Sequence, residues 1–479
     1  MANVLKRTIK GGAYFLASNA VNKVFGFVFV LLCSRYLGPE EFGIFTLGLS
    51  VTGIAKNIGS FGLPTTIQRF LSGEGKGMEK LHGAIITLFF LSSLIFSVSL
   101  FLISSYVSTE IFNEPKLETV LKIFSVGLSI NIGFAIYKGI LQSQEKVQKI
   151  LIGTSVQQVA KVLLIAVIII WIQDAIAAVV AAEIAIFIAL MYLYNCVKKL
   201  DLNINFPSKA EISKVLSYSL PLVFVGFSYF LSQQTDRIML GWLSTSSDVG
   251  IYTVSSTLAL IMTALHSSLV SIFMPLASAA YRNNDMEELN KAYLFISKWV
   301  GSLNGILSLV FTGAGLLILG VFGTEYSHEA TYQILLILTV LYFIGTWVGP
   351  TGALLQMADG HKIEMYNTAV FLILNIGFNY FFISTYGLIG AAWGTLISGL
   401  VRNILQVIEI RYFYSLNVIT FNHLILLVLV FTGMTFCYLF ANHSLILSII
   451  TIFILLLFIV KNITIEEKEL INKIIKKNV

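Results

Sequence analysis

The chain reads as a series of long apolar stretches separated by short polar gaps. Stretches such as 163–171 and 445–460 show no alternation, whereas a membrane β-barrel alternates apolar and polar residues along each strand. A membrane-crossing helix needs about 20 apolar residues. Fourteen stretches of that kind can be marked, at 11–34, 41–63, 82–105, 117–141, 147–171, 174–197, 213–243, 248–277, 289–321, 329–357, 362–384, 387–410, 421–441 and 443–461. Those at 213–243 and 289–321 exceed one straight crossing, so they tilt or project beyond the bilayer. The pattern predicts an all-α polytopic membrane protein with 14 transmembrane helices.

The polar gaps orient the chain. Lys6, Arg7 and Lys10, then Lys146 and Lys149, Lys198 and Lys199, and the terminal lysines from Lys461 to Lys477 fall in alternate gaps. The opposite gaps hold Arg35 and Lys116 among acidic residues such as Glu110, Glu114, Asp174 and Asp248. By the positive-inside rule both termini lie in the cytoplasm, which implies a multi-pass protein of the inner or plasma membrane. The start, Met1 to Lys10, runs into a long apolar helix with no Ala-x-Ala site, so no cleavable signal peptide is read there.

Composition narrows the function classes. The 479 residues are 57% hydrophobic and 12% charged, with mean hydropathy +0.85, against about 25% charged residues in an ordinary soluble domain. A soluble enzyme is excluded on this ground. The net charge of +6 is an orientation signal and points to no nucleic-acid partner. Cys33, Cys196 and Cys437 are scattered through apolar stretches without a CxxC, so neither a disulfide framework nor a zinc site is indicated. Gly313-x-Gly315-x-x-x-x-Gly320 has no preceding strand, and in Gly73-Glu-Gly75-Lys76-Gly77 no Ser or Thr follows the lysine. Neither is a nucleotide loop. No external gap is long enough for a paired-carboxylate site, so the chain reads as no enzyme, with no cofactor.

The pattern also repeats. Gly43-Ile44-Phe45-Thr46 opens the second stretch and Gly250-Ile251-Tyr252-Thr253 the eighth. Gly139 to Gln142 with Glu145 closes the fourth, and Gly352 to Gln356 with Asp359 the tenth. Two six-helix units duplicated in this way point in the same direction, because six is even, and are related by an axis along the membrane normal. The expected division is 1–200 for the first bundle, 201–415 for the second, 416–461 for two extra helices and 462–479 for a cytoplasmic tail. Residues 465–475 in that tail form an amphipathic basic pattern, read either as a surface helix or as a frayed solvated end.

Certain motifs carry a resemblance. They are Ser34-Arg35-Tyr36-Leu37-Gly38-Pro39-Glu40-Glu41-Phe42-Gly43, Gly62-Leu63-Pro64, Asp236-Arg237-x-Met239-Leu240-Gly241 and Tyr386-Gly387-Leu388-Ile389-Gly390-Ala391-Ala392. With the 6+6+2 layout, the chain resembles the polysaccharide (O-antigen type) flippases of the MATE-like exporter superfamily over its whole length. The resemblance implies a flippase that carries a polyprenyl phosphate- or pyrophosphate-linked oligosaccharide to the outer leaflet by alternating access. Membrane lipid is then its surroundings, a glycan polymerase or ligase a partner, and a monomer is sufficient. The alternative is a MATE-like exporter of small molecules driven by H⁺ or Na⁺.

Charges inside the stretches are the candidate chemistry. Lys23, Lys56, Lys161, Glu183 and Arg402 lie at membrane depth, where each costs at least about 2.5–3.5 kcal/mol facing lipid. They are expected to face water or a partner. Asn19, Asn22 and Lys23 share one face of the first helix, and Asn57 lies beside Lys56 on the second. Small polar residues on helices 2, 7 and 11, including Ser228, Ser232, Asn375 and Asn379, either line a cleft or bond across packed helices. With Lys23, Lys56, Lys161 and Arg402 against Glu183, and Asp236 cancelling Arg237, the surplus is cationic and suits a phosphate. Outward movement of an anion through an inside-negative potential is favourable by about 2.3 kcal/mol per charge per 100 mV. Other readings stay open. Lys161 and Glu183 form a structural ion pair, Arg237 and Arg402 snorkel to head groups, and Glu183 or Asp236 binds a coupling proton or Na⁺. His266 is either a proton relay or a satisfied interior histidine.

Overall fold

Breaks in the helices fall at glycine and proline. In the computed structural model, which describes residues 2–71, 78–200, 205–357 and 360–463, the run α1 (Ala2–Gly59) is interrupted at Gly38, with φ 75° and ψ 174°. Only glycine takes that conformation without strain. Pro39 then opens the second half of α1, where its missing N–H costs nothing. The following helices are α2 (Leu63–Phe70), α3 (Met78–Tyr106), α4 (Lys116–Ser143), α5 (Val147–Ile168), α6 (Ala175–Lys198), α7 (Lys209–Leu243) and α8 (Ser246–Ala259). Then come α9 (Ile261–Arg282), α10 (Met286–Phe322), α11 (Glu329–Val348), α12 (Thr351–Met357), α13 (His361–Tyr386), α14 (Leu388–Tyr414), α15 (Phe421–Leu439) and α16 (Ser444–Lys461).

No strand occurs among the described residues. Thirteen helical segments among them are long and apolar enough to cross a membrane, which makes this an all-α multi-pass membrane protein. One of the thirteen, Ala20–Phe70, has 51 residues. As one rod it would measure about 75 Å at 1.5 Å per residue, more than twice the roughly 30 Å of hydrocarbon, but it contains the break at Gly38. Two expected spans are interrupted. The stretch 329–357 divides at Gly349-Pro350, where proline lacks a donor and bars the residue before it from helix. The stretch 248–277 divides at Leu260, and, two residues on, the Asn304 side chain donates to the Met262 carbonyl at 3.1 Å. The tail pattern at 465–475 lies outside the described residues.

The chain forms two compact units. The first comprises Met1–Thr257, Leu319–Thr331 and Thr368–Thr395. Here the two matching Gly-Ile-aromatic-Thr stretches meet. A Cβ on Gly43 would overlap the carbonyl oxygen of Ser246, and one on Gly250 would overlap that of Pro39. The relation is reciprocal: each glycine abuts the carbonyl four residues before the other. This is the self-complementary pattern of a two-fold contact, made within one chain by repeat-related residues. The Ser34–Gly43 motif serves the same corner. Lys116 bridges Glu40 at 3.2 Å and Glu41 at 2.6 Å. The other Glu41 oxygen accepts the backbone N–H of Ala175 at 2.9 Å, and Asp174 accepts those of Ile176 and Ala177. Two carboxylates thus face the positive end of α6. Arg35 donates to the Val321 carbonyl at 2.9 Å, and Ser246 to Glu114 at 2.9 Å.

The second unit comprises Leu258–Ile318, Tyr332–Asn367 and Leu396–Val479. Its α10 packs closely on α16. A Cβ on Gly313 would overlap the Ser448 hydroxyl, and the Ser444 hydroxyl donates to the Gly313 carbonyl at 3.1 Å. Gly313 is therefore a helix-packing glycine, and so is Gly315, where a Cβ would overlap the Tyr332 ring. Trp347 on α11 donates to the His423 carbonyl on α15 at 2.9 Å.

The reciprocal seam yields a prediction. Gly43→Ala and Gly250→Ala each push a methyl group into backbone. Each is expected to destabilise the protein by about 1–3 kcal/mol, as overpacking does. Thermal unfolding in detergent measures this; a transition unchanged from wild type in both variants would contradict the seam.

Candidate functional site

The ionisable residues at membrane depth separate into four settings. The first joins α1, α4 and α6. The ammonium of Lys56 lies 3.5 Å from Asn131 Oδ1, a long contact. The Asn131 amide nitrogen donates to both Glu183 oxygens, at 3.1 and 3.2 Å, and to the Gly127 carbonyl at 3.2 Å. Gly127 admits the carboxylate, since a Cβ there would overlap Glu183 Oε2. Lys56, Asn131 and Glu183 are all half-buried. Only one amide orientation fits, with its oxygen toward the cation and its NH₂ toward the anion. Gly53, one turn before Asn57, lies against the ring of Phe230 on α7. Asn57 turns back on its own helix, donating to the Gly53 carbonyl at 2.9 Å.

Lys161 and Glu183 do not form an ion pair, which corrects one expectation. The Lys161 ammonium lies 4.3 Å from the centroid of the Phe29 ring, and Glu183 is engaged by Asn131. A cation over an aromatic face gains attraction without a counter-charge, so Lys161 is answered inside the bundle. Lys23 is exposed and Asn22 half-buried, with the Asn22 Oδ1 buried and lacking a hydrogen-bond partner among the described residues. The side chain of Asn19 lies outside the described residues.

The second setting surrounds Asp236. Its carboxylate accepts hydrogen bonds from Tyr252 at 2.6 Å, Thr395 at 2.7 Å and Asn379 at 3.2 Å. Asn375 donates to Thr395 at 3.3 Å. Both asparagines are fully buried, and both keep an Oδ1 without a hydrogen-bond partner. Asp236 and Arg237 do not cancel each other directly. Arg237 donates to Gln234 at 3.1 Å, Thr253 at 3.2 Å and Ser256 at 3.1 Å. Gln234 Oε1 also lies 2.9 Å from the Ser50 hydroxyl of α1. Arg237 is therefore turned into the protein and does not snorkel.

The third setting lies in the second unit. Arg402 is paired with Glu364, which Gln406 also contacts at 2.8 Å, while Thr351 donates to Gln406 at 2.7 Å. Arg402 is thus neutralised where it sits and does not snorkel either. The fourth is His266, half-buried with Nδ1 lacking a hydrogen-bond partner. The residues that sequence reasoning passed over are the neutral and boundary ones. Asn131 is a lone amide in an apolar run, signalled only by Gly127 four residues before it. Glu364 falls at the mouth of its span, where it reads as part of a gap.

Comparison with known proteins gives concordant results. A family model described as polysaccharide biosynthesis protein matches residues 8–281, and one described as MatE matches residues 221–381. Stage V sporulation protein B of Bacillus subtilis is 22% identical over 429 residues, spanning 82% of this chain and 81% of that protein. An uncharacterized membrane protein of Methanocaldococcus jannaschii is 23% identical over 409 residues, spanning 82% of this chain and 95% of that one. Among solved structures, a lipid II flippase MurJ in an inward closed conformation has a TM-score of 0.73 at 15% identity, covering 92% of this chain and 97% of that one. A multidrug resistance MATE family transporter of the MOP superfamily has a TM-score of 0.66 at 17% identity, covering 82% and 94%. The fold is shared with both.

The Arg402 setting carries its own prediction. Glu364→Ala removes the carboxylate paired with a guanidinium that keeps about a third of its side chain exposed (32%). It is expected to cost about 1–3 kcal/mol, the lower range for an unpartnered polar group. Glu364→Ala combined with Arg402→Leu is expected to recover part of the loss. A double-mutant cycle on thermal unfolding measures the coupling; additive effects would exclude the pair as a stabilising unit.

Proposed function

The chain belongs to the polysaccharide biosynthesis protein family, and from that premise we propose that it is a flippase for a polyprenyl phosphate- or pyrophosphate-linked oligosaccharide. The observation that carries this reading is Lys56. Its ammonium sits at membrane depth with one long contact to an amide and two N–H donors left over. A phosphate oxygen is the ligand that such a cation lacks. Exposed Lys23 on the same run α1 is the second cation offered to the anion, with Asn19, Asn22 and Asn57 as polar lining. Arg237, Arg402 and Lys161 hold their helices in place. The lipid tail stays in the bilayer while the sugars cross a wet path between the two six-helix repeats, 1–200 and 201–415, which rock about the site.

In this reading Ala20–Phe70 makes two crossings, which brings the count to fourteen. Both termini face the cytoplasm of the inner or plasma membrane, the protein works as a monomer, and a glycan polymerase or ligase takes the product. The Asp236 setting supports a coupling ion. The Asp236 carboxylate and the Thr395 hydroxyl beside it supply oxygen for Na⁺, or the carboxylate takes H⁺. Glu183 is the second candidate for coupling.

Reconstituted flipping tests the proposal. Protein is placed in liposomes with a polyprenyl-pyrophosphate oligosaccharide, and an external glycosidase reports which sugars have become reachable. Wild type is expected to move the lipid. Lys56→Ala is expected to slow it by about tenfold or more, the loss of one charge-assisted contact. Movement indifferent to Lys56→Ala discards the site. Efflux of a lipophilic cation in place of lipid flipping, dependent on Asp236, favours the small-molecule exporter.

Addition of Na⁺ gives a second readout. Asp236→Asn is expected to abolish any stimulation of flipping by Na⁺ or by a pH gradient, measured in the same liposomes with imposed gradients. Stimulation that persists in the variant removes Asp236 from coupling.

A further inference from the structure

Lys56, Asn131 and Glu183 are arranged in an unusual order for opposite charges inside a membrane protein. A lysine and a glutamate on adjacent helices at membrane depth gain most by direct contact. Here a neutral amide stands between them: Lys56 meets its oxygen at 3.5 Å and Glu183 its NH₂ at 3.1 and 3.2 Å. No direct ion pair between the two occurs among the described residues. The spacing is built by Gly127, which lets the carboxylate settle against α4 and so aligns it with the amide. The ammonium is thereby compensated at one remove and keeps its remaining donors.

One further charge reaches the cluster: Lys138, a second cation, acts electrostatically on Lys56. On α6 no charged residue occurs between Glu183 and Asp174 on one side or Lys198 on the other. From α5, Lys161 is directed at Phe29. From α4, Lys138 lies two turns beyond Asn131 on the same helix face, and Gly127 and Asn131 are the α4 residues that touch the carboxylate. From α1 the charged neighbour is Lys56.

A phosphate that arrives at Lys56 changes the balance. It takes over the cation that compensated Glu183 and leaves two anions one amide apart in a half-buried setting. Resting on the phosphate reading above, we propose that binding of the substrate's phosphate at Lys56 is matched by uptake of one proton from water onto the Glu183 carboxylate, with Asn131 as the positioning residue between them. The step forms one O–H bond on Glu183 and breaks none in the substrate. Anion and proton load together, and by linkage each strengthens the other's binding.

The test uses the purified full chain in detergent and a short prenyl pyrophosphoryl monosaccharide. That probe is esterified at both ends, so its own charge is constant near neutral pH. Calorimetry in two buffers of different ionisation enthalpy counts protons taken up on binding. Wild type is expected to take up close to one proton and to bind about fivefold or more tightly at about pH 6 than at about pH 8. Glu183→Gln is expected to bind with no proton uptake and a flat pH profile. Asn131→Asp places a carboxylate directly on Lys56 and is expected to weaken binding at the higher pH more than at the lower. Both variants are first checked for wild-type elution and thermal unfolding; a variant that fails is replaced by Glu183→Met or Asn131→Ser, read in the same way.

A flat wild-type profile, or a Glu183 variant that keeps the wild-type profile, overturns the relay while leaving the phosphate site standing. Absence of probe binding by wild type at every pH overturns the phosphate reading itself, and the relay with it.

Discussion

An ion inside hydrocarbon must be answered by water, by a counter-charge or by a dipole, and the polar interior of this protein is organised by that rule. Three cations in the first unit have different answers. Lys161 uses an aromatic face, Arg237 three neutral oxygens, and Lys56 the oxygen of an amide whose other end holds a carboxylate. Arg402, in the second unit, uses a full ion pair. The hydrophobic surroundings are common to all four, so the choice of partner gives each its character. Ion pairing leaves a cation with little to offer a ligand, whereas a single neutral oxygen leaves most of its donors available.

Those answers require helices held at close and reproducible distances. The reciprocal contact of Gly43 with Ser246 and of Gly250 with Pro39 brings two backbones together with no side chain between them. In a membrane, where lipid is as apolar as leucine, close backbone approach is a main source of helix association. The same corner fixes the direction of α1 after its break at Gly38, and with it the depth at which Ser50 and Lys56 stand. Ser50 then meets Gln234, which also accepts from Arg237. A glycine contact at one end of the helix and a hydrogen-bond chain at its middle act on one rigid element.

Much of this was legible in the residues, and the rest was hidden for identifiable reasons. Helix existence and approximate limits follow from apolar runs whose length is set by the bilayer. Interruption at Gly349-Pro350 was signalled by proline, but the break at Leu260 was not, because no glycine or proline stands there. The repeated Gly43 and Gly250 were visible as a sequence match; that they touch each other was not. Charges stood out because they are rare in such stretches, yet their partners did not. Asn131, Tyr252, Thr395 and Gln234 look like ordinary helix contents until three dimensions bring them to a charge. Pairing Lys161 with Glu183 from sequence failed because adjacency of helices does not fix which faces meet.

The two matching Gly-Ile-aromatic-Thr stretches stand beside different chemistry. Position by position, the glycine contact treats the halves alike, since it is made by matched residues. The charges do not: the first half places Lys56 against an amide and a carboxylate, while in the second Asp236 collects three donors beside two amide oxygens that lack partners. One setting presents spare donors and the other presents spare acceptors. The backbone contact that tolerates no side chain is indifferent to this contrast, because it involves none of the charged residues.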